Sequence, residues 1–130
     1  MMVKYQYDHM HLRSPDPEAT AQWYEKMFGA EILRTQPQGK LRIDLQFDGT
    51  AIFIAQVMDD GKTAQPPMSP YQGLDHFGLR VDDIEAAVAE LKAKGCEFTM
   101  EVTAIRPGTR IAFVRGPQNV SIELLERRPV

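Results

Sequence analysis

Two short segments of the chain, residues 7–12 and 74–81, alternate polar and apolar residues with a period of two, which predicts a β-strand in each. Apolar residues recur at helical spacing directly after each of these segments. Three further strands are predicted after each helix, at about 30–34, 41–47 and 51–57 and then at about 96–102, 109–115 and 120–125. The pattern β-α-β-β-β therefore occurs twice.

The two predicted helices carry start and stop signals. Asp16 can cap the first helix, and Asp82 with Glu85 resembles a capping box at the start of the second. Gly29 and Gly95 stand where helices commonly end in a left-handed conformation. The predicted apolar faces are Thr20, Trp23, Tyr24 and Met27 in the first helix and Ile84, Ala87, Val88 and Leu91 in the second.

The two halves of the pattern are copies of one module. Residues 8–19 (DHMHLRSPDPEA) and 75–86 (DHFGLRVDDIEA) are identical at seven of twelve positions, at a constant offset of 67. The Gly, Pro and Ser residues of the segment between the copies predict a linker. The predicted organisation is one domain over residues 1–130, with a first module at about 5–57, a linker at 58–73 and a second module at about 74–127.

Composition and charge narrow the class of protein. The 130 residues include 15 Lys and Arg against 18 Asp and Glu, a formal net charge of −3. This balance argues against nucleic acid or an anionic membrane as a partner, since both attract strongly basic proteins. Cys96 is the single cysteine, and no run of about 18 apolar residues occurs. These features favour a cytoplasmic protein that acts on a small molecule.

Several sequence features together resemble a known family. An Asp-His pair opens each copy, a glycine follows each helix, and Pro117-Gln118-Asn119 leads into Ser121-Ile122-Glu123-Leu124. Over about residues 5–127, the chain resembles the vicinal oxygen chelate superfamily of glyoxalase I, methylmalonyl-CoA epimerase, extradiol dioxygenases, fosfomycin-resistance transferases and bleomycin-binding proteins. The resemblance implies an α+β fold in which two βαβββ modules form a cup-shaped mixed sheet. It also implies a metal ion inside the cup.

The resemblance places the ligand positions at His9, Phe53, His76 and Glu123. Two of the three histidines thus occupy equivalent repeat positions, and Glu123 lies on an otherwise apolar strand. A carboxylate directed into an apolar interior is costly unless a cation or proton accompanies it. Two imidazoles and one carboxylate suit divalent ions, so we predict Fe, Mn, Ni, Co or Zn on His9, His76 and Glu123. The alternative is two packed core histidines and an exposed Glu123.

Position 53 departs from the pattern that the resemblance implies. Glyoxalase I and methylmalonyl-CoA epimerase usually carry Glu or Gln there, whereas Phe53 can neither coordinate a metal nor take a proton. Gln56 would replace it only if the register shifted. Phe113 stands ten residues before Glu123, where extradiol dioxygenases and fosfomycin-resistance transferases commonly have a tyrosine. Both phenylalanines are predicted to line the substrate pocket.

His11 follows His9 by two residues, so we expect both side chains on one face of the strand. Imidazole titrates near neutral pH, which makes His11 the predicted catalytic acid or base. The alternative is a hydrogen-bonded wall residue. Three arginines either bind an acidic substrate or are solvated surface charges: Arg106, Arg110 and Arg115.

Two functions follow from these features, and they belong to different classes. The leading hypothesis is a metal-dependent enzyme, of the dioxygenase or the lyase and transferase type, whose substrate chelates a divalent ion through two adjacent oxygens. The alternative is a metal-free protein of the bleomycin-resistance type, with Phe53 and Phe113 as stacking surfaces for a small molecule. The resemblance also implies a homodimer in which His9 of one chain meets His76 and Glu123 of the other.

Overall fold

The computed structural model of the protein describes residues 2–130. The chain divides into two compact units with a boundary between Ala64 and Gln65. Each unit contains one four-stranded mixed sheet and one helix, which confirms the α+β class and the repeated βαβββ order. The elements are β1 (His9–Ser14), α1 (Pro17–Phe28), β2 (Glu31–Thr35), β3 (Arg42–Phe47), β4 (Thr50–Gln56), β5 (His76–Arg80), α2 (Ile84–Ala93), β6 (Glu97–Arg106), β7 (Thr109–Arg115) and β8 (Ser121–Arg127).

In unit 1 the strand order is β1-β4-β3-β2, with β1 parallel to β4 and the other pairs antiparallel. Helix α1 covers one face of this sheet. Leu45, Ile52 and Ile54 are buried, and they alternate along their strands with residues that turn to the opposite face. The first helix contributes Tyr24 and Met27 to the same core. The opposite face carries His9, His11, Asp44 and Phe53.

Unit 2 repeats this arrangement with the order β5-β8-β7-β6 and a parallel β5–β8 pair. Ile84, Val88 and Leu91 of α2 are buried, as the spacing predicts. On the sheet, Val114 and Ile122 are fully buried. The β6–β7 pair has three register shifts along its length, so β6 is irregular where it runs beside β7.

An aromatic group surrounds Trp23 on α1. Its ring centroid lies 4.9 Å from that of Tyr24 and 5.6 Å from that of Phe28, both in edge-on geometry. Cys96 is buried at the start of the strand that follows α2. These residues therefore pack within their units.

Several boundaries differ from the sequence predictions, among them that of β5, which spans His76–Arg80 rather than residues 74–81. Strand β1 begins at His9 rather than at residue 7, and β6 continues to Arg106. The cap of α2 is Asp83, whose side chain accepts a hydrogen bond from the Ala86 N–H, so the assignment of the cap to Asp82 was wrong. Residues 2–130 contain no helix that is both long and apolar enough to span a membrane. The single-domain organisation with a linker at 58–73 stays a prediction.

Candidate metal centre

The first and last strands of each unit place the candidate ligands. In unit 2, β5 and β8 run parallel with Gly78 opposite Glu123, and in unit 1 the same place in the register holds His11 opposite Phe53. Phe53 therefore takes the position that Glu123 has in the second module, as the repeat alignment predicts. Because side chains alternate along a strand, Gln56 falls on the same face as Ile52 and Ile54. It is not a substitute for Phe53.

Each of the two equivalent histidines is held by the aspartate that precedes it. Nδ1 of His9 lies 2.7 Å from Asp8 Oδ2, and Nδ1 of His76 lies 2.7 Å from Asp75 Oδ2. A carboxylate on one ring nitrogen fixes the tautomer, so that the other nitrogen can serve as a ligand. Both modules thus direct the imidazole Nε2 away from the aspartate.

Asp75 is ionised well below neutral pH. The Ser69 hydroxyl, the His76 ring and the Tyr71 N–H all donate hydrogen bonds to its carboxylate and lower its pKa to about 2. An ionised carboxylate accepts a hydrogen bond from the Nδ1–H of His76, which leaves Nε2 on the side of the ring away from Asp75. The donor geometry at this histidine therefore suits a metal ligand.

Glu123 completes a pair with His76. Its Oε1 lies 3.5 Å from His76 Nε2, and its side chain is 18% exposed. A deprotonated imidazole nitrogen and a carboxylate oxygen are both acceptors, so a proton or a cation between them would satisfy both. A Cβ at position 78 would lie 3.5 Å from the same oxygen, so Gly78 leaves the space beside the carboxylate open. This pair fits a divalent ion by its chemistry.

The corresponding histidine of unit 1 meets an aromatic ring instead. The His9 and Phe53 rings are stacked, with centroids 4.1 Å apart and an interplanar angle of 26°. The Arg42 guanidinium carbon lies 4.6 Å from the Phe53 centroid. His9 lies on β1, and Arg42 lies on β3; these are the two strands that flank β4. The Phe53 ring is therefore in contact with both an imidazole and a guanidinium.

A carboxylate and a phenylalanine occupy swapped positions in the equivalent strand pairs of the two modules. Phe113 on β7 is directly opposite Glu123 on β8, whereas Asp44 on β3 is directly opposite Phe53 on β4. Sequence reasoning missed Asp44, although the repeat offset between Phe53 and Glu123 would have placed it near Phe113. In each module this strand pair thus places one carboxylate opposite one phenylalanine, in reversed order.

Phe113 and His11 lie beside the candidate ligands of their own units. The Phe113 ring contacts the His76 ring edge-on, at 4.9 Å between centroids. His11 lies 6.3 Å from His9 and 6.4 Å from Phe53 by the same measure. A cleft of about 320 Å³ in unit 2 is lined by Asp75, Met100, Phe113, Arg115, Asn119 and Ser121, among others. This cleft adjoins the Asp75–His76 pair.

The three arginines of β6 and β7 have different surroundings. Arg110 binds the buried Glu126, with 3.0 Å between its Nε and Oε1, and Arg115 donates to Glu97. Arg106 is exposed. Solvated surface charge is therefore wrong for Arg110, because its carboxylate partner on β8 is buried. Sequence reasoning gave no role to Glu126.

The full ligand set is not assembled among the residues that the structure describes. Within residues 2–130, His, Cys, Asp and Glu side chains form no group of three that could hold a metal ion. The structure does bring His76 together with Glu123 and Phe113, and His9 together with His11 and Phe53. The role of each of these residues stays a prediction.

Comparison with known proteins points to one family. The profile of the Glyoxalase/Bleomycin resistance protein/Dioxygenase superfamily matches residues 6–124. Lactoylglutathione lyase of Haemophilus influenzae is 29% identical, over 92% of this chain and 91% of that protein. A lactoylglutathione lyase of Arabidopsis thaliana is 28% identical over 93% of this chain, which spans only 44% of the plant protein. A glyoxalase family protein of Bacillus cereus has a similar fold, with a TM-score of 0.76, 17% identity and coverage of 99% of this chain and 100% of that one.

Proposed function

This chain belongs to the Glyoxalase/Bleomycin resistance protein/Dioxygenase superfamily, and from that premise we propose that it is a divalent-metal enzyme acting on a small substrate that chelates the ion through two adjacent oxygens. The observation that carries the proposal is the close approach of His76 Nε2 to Glu123 Oε1, at 3.5 Å. His9 is the third proposed ligand, because its Nδ1 is held by Asp8 as the Nδ1 of His76 is held by Asp75.

The bound ion would supply Lewis acidity for a negative charge that develops on a substrate oxygen. The chain's own residues would do the rest of the work. Phe53 cannot take a proton, so we assign proton transfer to His11, which is on the same face of unit 1 as Phe53. Phe113 packs against the His76 ring and borders the cleft of unit 2, where it would limit the substrate's position.

The name of the curated relatives favours a lyase reaction over ring cleavage. Those relatives are lactoylglutathione lyases, and this chain matches the bacterial one over nearly its whole length. The carboxylate or amide that such enzymes usually carry in the first module is replaced by Phe53, so the proton-transfer step would differ in this chain. We further propose a homodimer in which His9 of one chain and His76 with Glu123 of the other form each site.

Metal binding by the purified protein tests the proposal. Protein prepared without chelator should contain stoichiometric Fe, Mn, Ni, Co or Zn, or bind one of them on addition, as measured by elemental analysis and titration. Loss of the carboxylate that holds a ligating histidine costs about 10–100-fold in metal affinity, so Asp75→Asn should fall in that range and Glu123→Gln should lose more.

Two variants control this experiment. Glu97→Gln removes an exposed carboxylate of the same unit and should keep full metal affinity. His11→Ala should keep the metal and lose turnover, since we assign proton transfer to His11. Absence of metal from the wild-type protein, together with no binding of any of the five ions, would contradict the proposal.

A further inference from the structure

Arg42 of unit 1 is held in place by two neighbours. Its Nε donates to Asp44 Oδ2 at 2.7 Å, and its guanidinium lies over the Phe53 ring. The same ring stacks on His9. A cation over an aromatic face and a charged hydrogen bond both favour one orientation of the guanidinium. Arg42 and the proposed metal ligand His9 therefore contact the same ring, that of Phe53.

The burial of Asp44 strengthens this hold. Its side chain is 16% exposed, and its Oδ1 is buried without a hydrogen-bond partner among residues 2–130. The bond from Arg42 is thus the polar contact that this carboxylate has in the described part of the chain. Moving Arg42 away would leave a buried charge unpaired, which is costly.

The outer edge of the Arg42 guanidinium remains accessible. The side chain is 48% exposed, and the contact with Asp44 uses Nε only. Arg34 of the same unit provides a contrast, because its Nε and Nη2 both bind the carboxylate of Glu18. The two Nη groups of Arg42 have the planar geometry that binds a carboxylate through two parallel hydrogen bonds.

We infer that Arg42 binds a carboxylate group of the substrate, so that the substrate is an acid whose charged end lies beside Phe53 while its other end reaches the metal site. This inference deepens the proposed function and rests on it for the identity of the second end. Asp44 is a positioning residue, because it orients Arg42, and Phe53 supports the guanidinium from below while it borders the substrate.

The first arm of the test needs no metal. Glutaric acid monohydroxamate carries a carboxylate at one end, and its methyl ester lacks that charge. Each compound is titrated into metal-free, ¹⁵N-labelled protein at low salt while the side-chain Nε–H signals of Arg42 and Arg34 are followed by NMR. We expect a saturable shift of the Arg42 signal with the acid, none with the ester, and no shift at Arg34.

Variants assign the effect to Arg42. Arg42→Gln with Asp44→Asn removes the guanidinium without leaving a buried unpaired charge, and backbone spectra check its fold. The acid should then cause no saturable shift in backbone amides near residue 42, whereas Arg34→Gln, which removes an arginine of equal exposure (47%), should respond like the wild type. Equal binding of acid and ester by the metal-free wild type would overturn the inference.

The second arm adds Zn²⁺, which separates this inference from the proposed function. In the loaded protein, the acid should bind about tenfold tighter than the ester, as expected for a charged hydrogen-bonded pair. The preference should vanish in the double variant. A shift at Arg42 in the first arm, together with no binding of Zn²⁺ or of any of the other four ions, would contradict the metal enzyme and leave the carboxylate site in place. Binding of Zn²⁺ with no preference for the acid over the ester would contradict the carboxylate site and leave the metal enzyme in place.

Discussion

Glu126 joins three parts of unit 2 through one buried carboxylate. It accepts a hydrogen bond from the Ile84 N–H at the start of α2, at 2.9 Å, and two from Arg110 on β7. Arg128 lies 3.1 Å from the same carboxylate. These donors, Arg110 first and the Ile84 N–H second, hold the pKa of Glu126 below its ordinary value. The ionised form is therefore bound more tightly in the folded state than in the unfolded chain.

The stabilisation by Glu126 should depend on pH in a defined direction. A carboxylate with a lowered folded-state pKa contributes stability above its unfolded pKa of 4.5, and the contribution is lost as pH falls through the lower folded value. Urea unfolding at pH 7 should show Glu126→Gln less stable than the wild type, and the difference should shrink below about pH 4.5. Glu101→Gln, at an exposed carboxylate, is the control. A difference independent of pH would contradict this account.

Residue patterns revealed the candidate ligands better than they revealed this network. His9 and His76 stand out because the repeat places them at equivalent positions, and Glu123 interrupts an apolar strand. Glu126 lies three residues further along the same strand, and its partner at Ile84 is 42 positions away. No local spacing marks that contact, because it forms only when β8 packs against the start of α2.

At the scale of elements, the two helices begin in the same way. Asp16 accepts a hydrogen bond from the Ala19 N–H, and Asp83 accepts one from the Ala86 N–H, both at 3.1 Å. These aspartates are equivalent in the repeat, which the assignment to Asp82 overlooked. A capping motif read in isolation pointed to the wrong residue, whereas the repeat would have pointed to the right one.

The cap of α2 offers a direct measurement. Asp83→Ala should destabilise the protein by about 1 kcal/mol, because the helix loses a side-chain acceptor at its first turn. Asp82→Ala removes a neighbouring aspartate that makes no cap bond and should change the unfolding free energy by less than about 0.5 kcal/mol. Equal effects of the two substitutions in chemical denaturation would contradict the assignment of the cap.

Strand limits were predictable only where the alternation was regular. The ranges of β3, β4, β7 and β8 lie within one to two residues of the predictions. The predicted end of β6 at residue 102 was wrong, because register shifts against β7 break the period of two and the strand continues to Arg106. A bulge interrupts the alternation of side chains, so a pattern with a period of two does not predict that the strand continues beyond it.

At the scale of the whole molecule, the internal repeat predicted more than any single motif. It indicated two modules of one topology, and the two sheets have equivalent strand orders and equivalent parallel pairs. It also predicted correctly that Phe53 takes the register position that Glu123 has in the second module. The assembly of a complete ligand set is a different matter, because it depends on how modules of one or two chains combine.

Mixing of inactive chains tests the proposed shared site. His9→Ala and Glu123→Ala protein each should bind no metal, and mixing them equally with subunit exchange should restore about one quarter of the sites. The reason is that each mixed dimer holds one intact site and one doubly damaged site.

The control for this mixture pairs His76→Ala with Glu123→Ala. Both residues would come from the same chain in each site, so the control mixture should recover nothing. Verified exchange without recovery in the first mixture would mean that the sites are not shared.

The aromatic group around Trp23 has a practical consequence for spectroscopy. Trp23 is the single tryptophan of the chain, and it packs against Tyr24 and Phe28 in unit 1. Its fluorescence therefore reports the environment of that unit, whereas far-ultraviolet circular dichroism records the helices and strands of both. Ile122→Ala opens the core of unit 2, so it alters the emission of the tryptophan during denaturation only through coupling between the units. The emission of Trp23 thus reports, without an added label, whether the two units unfold cooperatively.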